Sequence, residues 1–264
     1  MSLTPVCQTC LEAIRPIDGP RCAVCGERLM SRHLMPEPEG TQVEDTRAGA
    51  CATDARATPP LCGMCLQNAP AFTRASAYGS YDAGLRDLVH LLKYERVKPA
   101  ANVLGRMLAE VVADLAEAFG PESPVVLPVP LHASKMRQRG FNQSELIARA
   151  MLKLKPAALD AKLNTTALVR SRATESQTGL TPPQRRENMR GAFKVVRRDQ
   201  ISGRDILLID DVFTTGTTVS ECARVLRRAG AERVFVATVA RVLKPEAERV
   251  EPEFEEPRAM SAHA

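Results

Sequence analysis

Apolar and polar positions change rhythm twice along the chain. Residues 1–70 show little periodic apolar patterning and cannot bury much of a core by themselves. From about Tyr78 the pattern becomes globular: Leu85, Leu88, Val89 and Leu92 recur at helical spacing, and "VLGRMLAEVVADLAEAF", 103–119, predicts a second amphipathic helix. "VVLPVPL", 125–131, is a short apolar run stopped by prolines and reads as a buried strand. "FNQSELIARAMLKL", 141–154, returns to the helical period with Asn142 or Ser144 as its cap. An extended "ALVRS", a long polar stretch and a strand near Phe193–Val196 follow. The strand Ile206–Ile209, a helix, and a strand at "RVFVATVA", 233–240, complete the series. Strands that are apolar throughout and alternate with helices predict an α/β domain, a mainly parallel sheet flanked by helices.

This gives a domain over 71–245 and a small module over 1–70. Within the module, 34–60 is rich in proline, alanine and charge without any period and is expected to be a disordered insertion containing an incidental Cys51. The acidic stretch 246–264 reads as a disordered tail. No run of 18 apolar residues occurs, and "MSLTPVCQTC" has neither a basic nor an apolar leader segment, so the expectation is a cytoplasmic chain without membrane insertion.

Charge is unevenly placed. The net +5 hides an excess of positive charge over 135–198, where Lys and Arg far outnumber Asp and Glu. That concentration implies an anionic ligand, either a polyphosphate or a nucleic acid. Aromatic residues make up only 4% of the chain, which weakens base stacking as a mode of nucleic-acid contact.

Six of the eight cysteines form Cys-x-x-Cys pairs, Cys7/Cys10, Cys22/Cys25 and Cys62/Cys65, the pattern of zinc knuckles in a reducing compartment. A tetrahedral structural zinc takes four thiolates, so one pair is left over. Cys22, Cys25, Cys62 and Cys65 are the preferred set, and Cys7, Cys10, Cys22 and Cys25, closed by a shorter loop, are the alternative. The remaining Cys222 falls on the apolar face of a helix and reads as a buried hydrophobe. His33, His90, His132 and His263 share no catalytic spacing, and His90 is expected to pack.

The sharpest chemical signal is "ILLIDDVFTTGTT", 206–218. An apolar strand running into Asp210 and Asp211 sets two acids at a strand's carboxyl end, where open α/β sheets bind ligands. Thr214, Thr215, Gly216, Thr217 and Thr218 then offer hydroxyls and free backbone N–H groups at the start of a helix, an anion site. The helix is expected to begin at Thr218, with Glu221 completing a capping box, and to stop at Gly230. Carboxylates repel a bare phosphate but accept hydrogen bonds from vicinal hydroxyls, so a ribose 5-phosphate satisfies both halves.

The thirteen-residue string resembles the phosphoribosyl pyrophosphate (PRPP) signature of type I phosphoribosyltransferases. "LPVPLHASKMRQRGFNQSELIA", 127–148, and "RSRATESQTGLTPPQRRENMRGAF", 170–193, together with the cysteine knuckles, resemble the ComF family of competence-associated proteins. The resemblance implies a type I phosphoribosyltransferase-like domain with an N-terminal zinc ribbon. It implies Asp210 and Asp211 on the ribose hydroxyls, the 214–218 loop on the 5-phosphate, and Mg2+ bound with PRPP. Pro128 to Leu131, including Pro130 and Leu131, stand where the pyrophosphate loop would be, with Arg137 and Arg139 supplying charge. Residues 170–190 resemble a mobile covering loop, in which Arg170, Thr174, Gln177, Arg185 and Asn188 are candidate contacts. Single-stranded DNA and other competence proteins are the implied partners, and the phosphoribosyl acceptor is not named by the sequence. Many family members carry a further knuckle upstream that this chain lacks.

Overall fold

The computed structural model describes residues 6–29, 59–174 and 181–243. Most of the expected insertion, with Cys51 in it, lies outside those residues, as do Gln177, the 246–264 tail and the side chain of Cys10.

Five strands, β1 (Arg74–Ser80), β2 (Val125–Pro128), β3 (Lys162–Leu163), β6 (Asp205–Phe213) and β7 (Arg233–Arg241), form one sheet in the order β1-β7-β6-β2-β3. Every neighbouring pair in it is parallel, as the unbroken apolar strands predict. Two further strands, β4 (Leu168–Arg170) and β5 (Phe193–Val195), pair antiparallel in a separate ribbon that brackets the polar stretch between them.

Successive strand residues face opposite sides, and the packing divides accordingly. Leu207, Ile209, Phe235 and Ala237 pack with helices α3 (Ala83–Lys93), α4 (Ala100–Ala116) and α6 (Gln143–Leu152). Ile206, Leu208, Val234 and Val236 pack with α8 (Thr217–Arg228), the β4–β5 ribbon and the four cysteines of the second and third pairs. The two helices α4 and α6 cross closely because Gly105 has no side chain: a Cβ there would lie 2.5 Å from Ala150 Cβ. The short helices α1 (Gln8–Ala13), α2 (Gly63–Gln67), α5 (Ala133–Arg139) and α7 (Pro182–Met189) complete the elements.

Strand β1 lies within the expected 71–245 domain but begins four residues before Tyr78, where the apolar pattern becomes legible. Its buried positions are Ala75, Ala77 and Gly79, too small to register as a hydrophobic pattern. Its outer edge is covered by the N-terminal segment, where the Ile17 N–H donates to Tyr78 O at 2.7 Å and Pro16 bridges Gly79. His90, expected to pack, is exposed on α3 with its ring centroid 5.1 Å from that of Tyr94. Cys222 is fully buried, as expected, and burial raises its thiol well above the ordinary range.

Candidate functional site

Strand β6 outruns its neighbour β2. Their pairing ends at Pro128 and Ile209, with the Val129 N–H still reaching Ile209 O, whereas β6 continues beside β7 as far as Phe213. Asp210 and Asp211 therefore lie inside the strand rather than beyond its end, and the crevice opens beside them where β2 has stopped. Being consecutive in a strand, the two acids turn to opposite sides.

Asp211 turns toward α3, where Lys93 Nζ lies 2.6 Å from its Oδ2. Burial opposes the Lys93 charge, but the attraction of Asp211 outweighs it and holds the ammonium above its ordinary pKa. Asp210 Oδ1 accepts from Ser144 Oγ at 2.9 Å and from the Asp211 N–H at 3.0 Å. Burial, and then repulsion from Asp211, pushes the Asp210 carboxyl up to about 7.

Neither Lys93 nor Ser144 was among the residues expected at the site. Lys93 continues the stripe of Leu85 and Val89 at helical spacing, so a lysine on a core-facing line was the available signal. Ser144 belongs to the segment after "RGFNQ". In that segment Gly140 closes α5 in the left-handed region at φ 84, and Asn142 is the actual cap of α6, accepting from the Ser144 N–H. Asn142 Nδ2 also donates to Val129 O at 3.0 Å. The motif thus ties the end of β2 to the acid strand.

The loop after the acids folds as the sequence requires at one glycine. Gly216 has φ 73, and a Cβ there would meet Phe213 Cζ at 2.5 Å, so both conformation and space exclude a side chain. Thr214 and Thr215 are exposed, Thr217 and Thr218 half-buried, and the hydroxyls of Thr215 and Thr217 lie 2.8 Å apart. Helix α8 starts at Thr217, one residue before the expected start, with Gly216 as its cap. The expected Thr218–Glu221 capping box is corrected: Glu221 instead accepts from the Gly191 N–H at 2.8 Å and from Arg224 at 2.6 and 2.7 Å, pinning the end of the β4–β5 excursion to α8.

Pro130 and Leu131 are half-buried at the crevice side of β2, and Arg137 is exposed on α5. The Arg139 guanidinium is occupied with Gln143 and lies 5.8 Å from the Tyr94 ring centroid. Arg170 donates to the Thr174 hydroxyl and lies 5.5 Å from the Phe193 ring centroid, and burial lowers its pKa. The expected mobile segment contains α7, capped reciprocally by Thr181 and Gln184 and anchored by a fully buried Met189. Arg185 and Asn188 are half-buried along it.

A second cluster lies on the α8 face. The sulfurs of Cys22, Cys25, Cys62 and Cys65 are all within 4.8 Å of one another, and Cys25 and Cys62 approach to 3.5 Å. Thiolates around a tetrahedral zinc stand about 3.8 Å apart, given Zn–S distances of about 2.3 Å, so this buried quartet fits the ion. Burial raises the Cys22 thiol, but backbone N–H groups of Cys25, Cys62 and Val24 outweigh it and bring it to about 7, while burial pushes Cys25 up to about 11. Cys7 is exposed beside α1; Leu11 of that helix and Ile14 just after it pack on the opposite core.

Asp211 Oδ2 is buried and, though it receives no hydrogen bond of good geometry, lies 2.6 Å from the Lys93 ammonium, so a cation already balances it. Among the described residues no helix is long and apolar enough to cross a membrane.

A parallel sheet with acids on its central strand and a threonine–glycine loop opening the next helix defines a phosphoribosyltransferase-type domain. The family model for the phosphoribosyl transferase domain matches residues 144–256. The chain is 33% identical over 204 residues to DNA utilization protein YhgH of Escherichia coli, covering 77% of this chain and 87% of that one. It is 29% identical over 195 residues to competence protein F of Haemophilus influenzae, covering 73% and 83%. A solved hypoxanthine phosphoribosyltransferase from Staphylococcus aureus is 15% identical, covers 54% of this chain and 64% of that one, and superposes with a TM-score of 0.33. The chain belongs to the ComF family.

Proposed function

We propose that the crevice between β2 and β6 binds PRPP with Mg2+ and transfers its phosphoribosyl group to a nitrogen nucleophile, in a role connected with DNA uptake and use. The observation that carries this reading is the succession on one strand and loop: two acids at the open edge of β6, then a glycine-pinned turn of threonines at the N-terminus of α8. The relatives' names supply the connection to DNA and competence.

In this reading the backbone N–H groups and hydroxyls of 214–218 hold the 5-phosphate. Asp210 and Asp211 accept from the ribose hydroxyls. The segment Val129–Leu131 and the Arg137 side chain face the pyrophosphate. As the C1–oxygen bond breaks, its electron pair leaves with pyrophosphate, the nucleophile's lone pair forms the new bond to C1, and the nucleophile's proton is lost. The chain's part is to fix the ribose between its two ends and to place charge where it develops. When bound, magnesium neutralises pyrophosphate charge. Arg170 and the α7 segment cover the site from the β4–β5 side.

The cysteine quartet serves as a structural zinc site in a module over 1–70, preceding the transferase domain at 71–245. Exposed Lys135, Arg137, Arg186 and Arg190 offer phosphate contacts for single-stranded DNA, to be tested by oligonucleotide titration over a salt series. The decisive experiment is calorimetric titration of PRPP with magnesium into the zinc-loaded wild type and into Asp210→Asn/Asp211→Asn. Binding by the wild type that disappears in a folded double variant supports the proposal. A folded wild type that takes up no PRPP rejects it.

A further inference from the structure

The cysteine quartet and the threonine loop are joined through one side chain, Arg241, the last residue of β7. It is 4% exposed. Its Nη1 donates to Cys25 O at 2.6 Å, its Nη2 to Glu27 Oε2 at 2.7 Å, and Nη2 lies 3.9 Å from Cys25 Sγ. The Cζ of the same guanidinium lies 4.3 Å from the centroid of the Phe213 ring. That ring fills the space a side chain at Gly216 would need, and its backbone oxygen takes the Val242 N–H at 2.9 Å. A continuous line of contact thus runs from Cys25 through Arg241 and Phe213 to the glycine that shapes the loop.

Desolvating an arginine is costly, and its Nε is buried here without a hydrogen bond. Glu27 alone offsets one charge. Four thiolates around a divalent ion carry a net negative charge, and the guanidinium beside Cys25 Sγ is placed to balance it. With the quartet ionised and holding metal, Arg241 is drawn to the knuckle and its face is fixed under Phe213.

We propose that Arg241 is a positioning residue that couples metal binding by Cys22, Cys25, Cys62 and Cys65 to the order of the 213–218 loop, and hence to its affinity for a phosphorylated ligand. This rests on the reading that the quartet holds zinc and that the loop holds phosphate. Coupling is reciprocal, so ligand in the loop also tightens the hold on zinc.

Hydrogen exchange on the full chain tests the link without any phosphoribosyl ligand. Removing zinc with a chelator should speed exchange of amides in 213–220 at least about five-fold, the lower end of ordinary coupling, while α4 stays protected. Arg241→Met, or Arg241→Lys where the first does not fold, should show the fast exchange with zinc still bound. Protection of 213–220 that changes neither on zinc removal nor in the zinc-loaded variants overturns the proposal. PRPP calorimetry on the same samples separates the two readings. Loss of protection without PRPP binding in the wild type sinks the phosphoribosyl assignment alone, whereas wild-type PRPP binding with unchanged exchange sinks the coupling alone.

Discussion

Replacing Lys93 with methionine keeps the length of the side chain and removes the only cation that touches Asp211 among the described residues. The pair is well shielded, with 18% of the lysine and 6% of the aspartate side chain exposed at a separation of 2.6 Å. Two unit charges at that distance attract by roughly 6 kcal/mol at an effective dielectric constant of about 20. Desolvation cancels part of this, and breaking such a pair leaves a buried charge at a cost of about 3–5 kcal/mol. The lower end applies because Lys93 retains some water contact, so Lys93→Met should destabilise the fold by about 3 kcal/mol, a fall in Tm of about 6–12 °C for a chain of this size. Thermal and urea unfolding at pH 8, above the range in which Asp210 titrates, measure it. Asp211→Asn and the double variant complete a cycle, in which the two losses should fail to add by at least about 1 kcal/mol. Magnesium should raise the Tm of Lys93→Met more than that of the wild type, because a cation replaces the lost one. A loss below about 1 kcal/mol, with additive single variants, would refute the claim that this ion pair holds α3 to the acid strand.

Gly216→Ala combines a left-handed backbone, costing roughly 1–2 kcal/mol, with a Cβ driven into Phe213, costing about 1–3 kcal/mol more. It should lower Tm and abolish PRPP binding together, and wild-type calorimetry from this variant would contradict the loop assignment. Cys62→Ser should drop zinc content, measured by metal analysis, from one ion per chain to none, while Cys7→Ser should leave it at one. Because the folded Asp210 carboxyl titrates at about 7, above its unfolded value of 3.8, the folded chain keeps a proton that the unfolded chain releases. Stability to urea should therefore fall as pH rises from about 4 to about 7 and level off above it, and Asp210→Asn should flatten that decline. A wild-type stability that falls over this interval by no more than the Asn variant's would show that Asp210 is not held protonated.

Much of the architecture could be read from periodicity because its strongest signals are unmixed. Ile206 to Ile209 are apolar on both sides since helices cover both faces of the sheet, and the α8 stripe of Val219, Cys222, Ala223 and Leu226 is buried as its spacing requires. Strand β1 escaped because Ala75, Ala77 and Gly79 fill a shallow edge with little hydrophobic area. Helix α7 escaped because "PPQRRENM" has no apolar face of any length; its Thr181–Gln184 cap, Met189 and the hydrogen bonds from Arg172 to Asn188 O and Arg190 O help hold it. Thr218 and Glu221 have the spacing of a capping box, but Gly191, thirty residues away in sequence, competes for the same carboxylate and wins it.

The candidate site shows where a linear motif stops being informative. Asp210 and Asp211 are neighbours in sequence and look interchangeable, yet the strand's two-residue period sends them to different surroundings. Asp211 meets an ammonium; Asp210 meets a serine hydroxyl and the neighbouring carboxylate, and its proton is held to about pH 7. What makes the acids unequal comes from α3 and α6, contributed by residues 93 and 144, which no string around residue 210 contains. The same holds on the far side of the sheet, where Arg241 joins a cysteine knuckle at residue 25 to an aromatic ring at residue 213. Composition and motif single out the groups proposed to meet the ligand. The charges and contacts that tune those groups arrive through the topology of the sheet, from residues 93, 144 and 241, which the strand and loop motif does not contain.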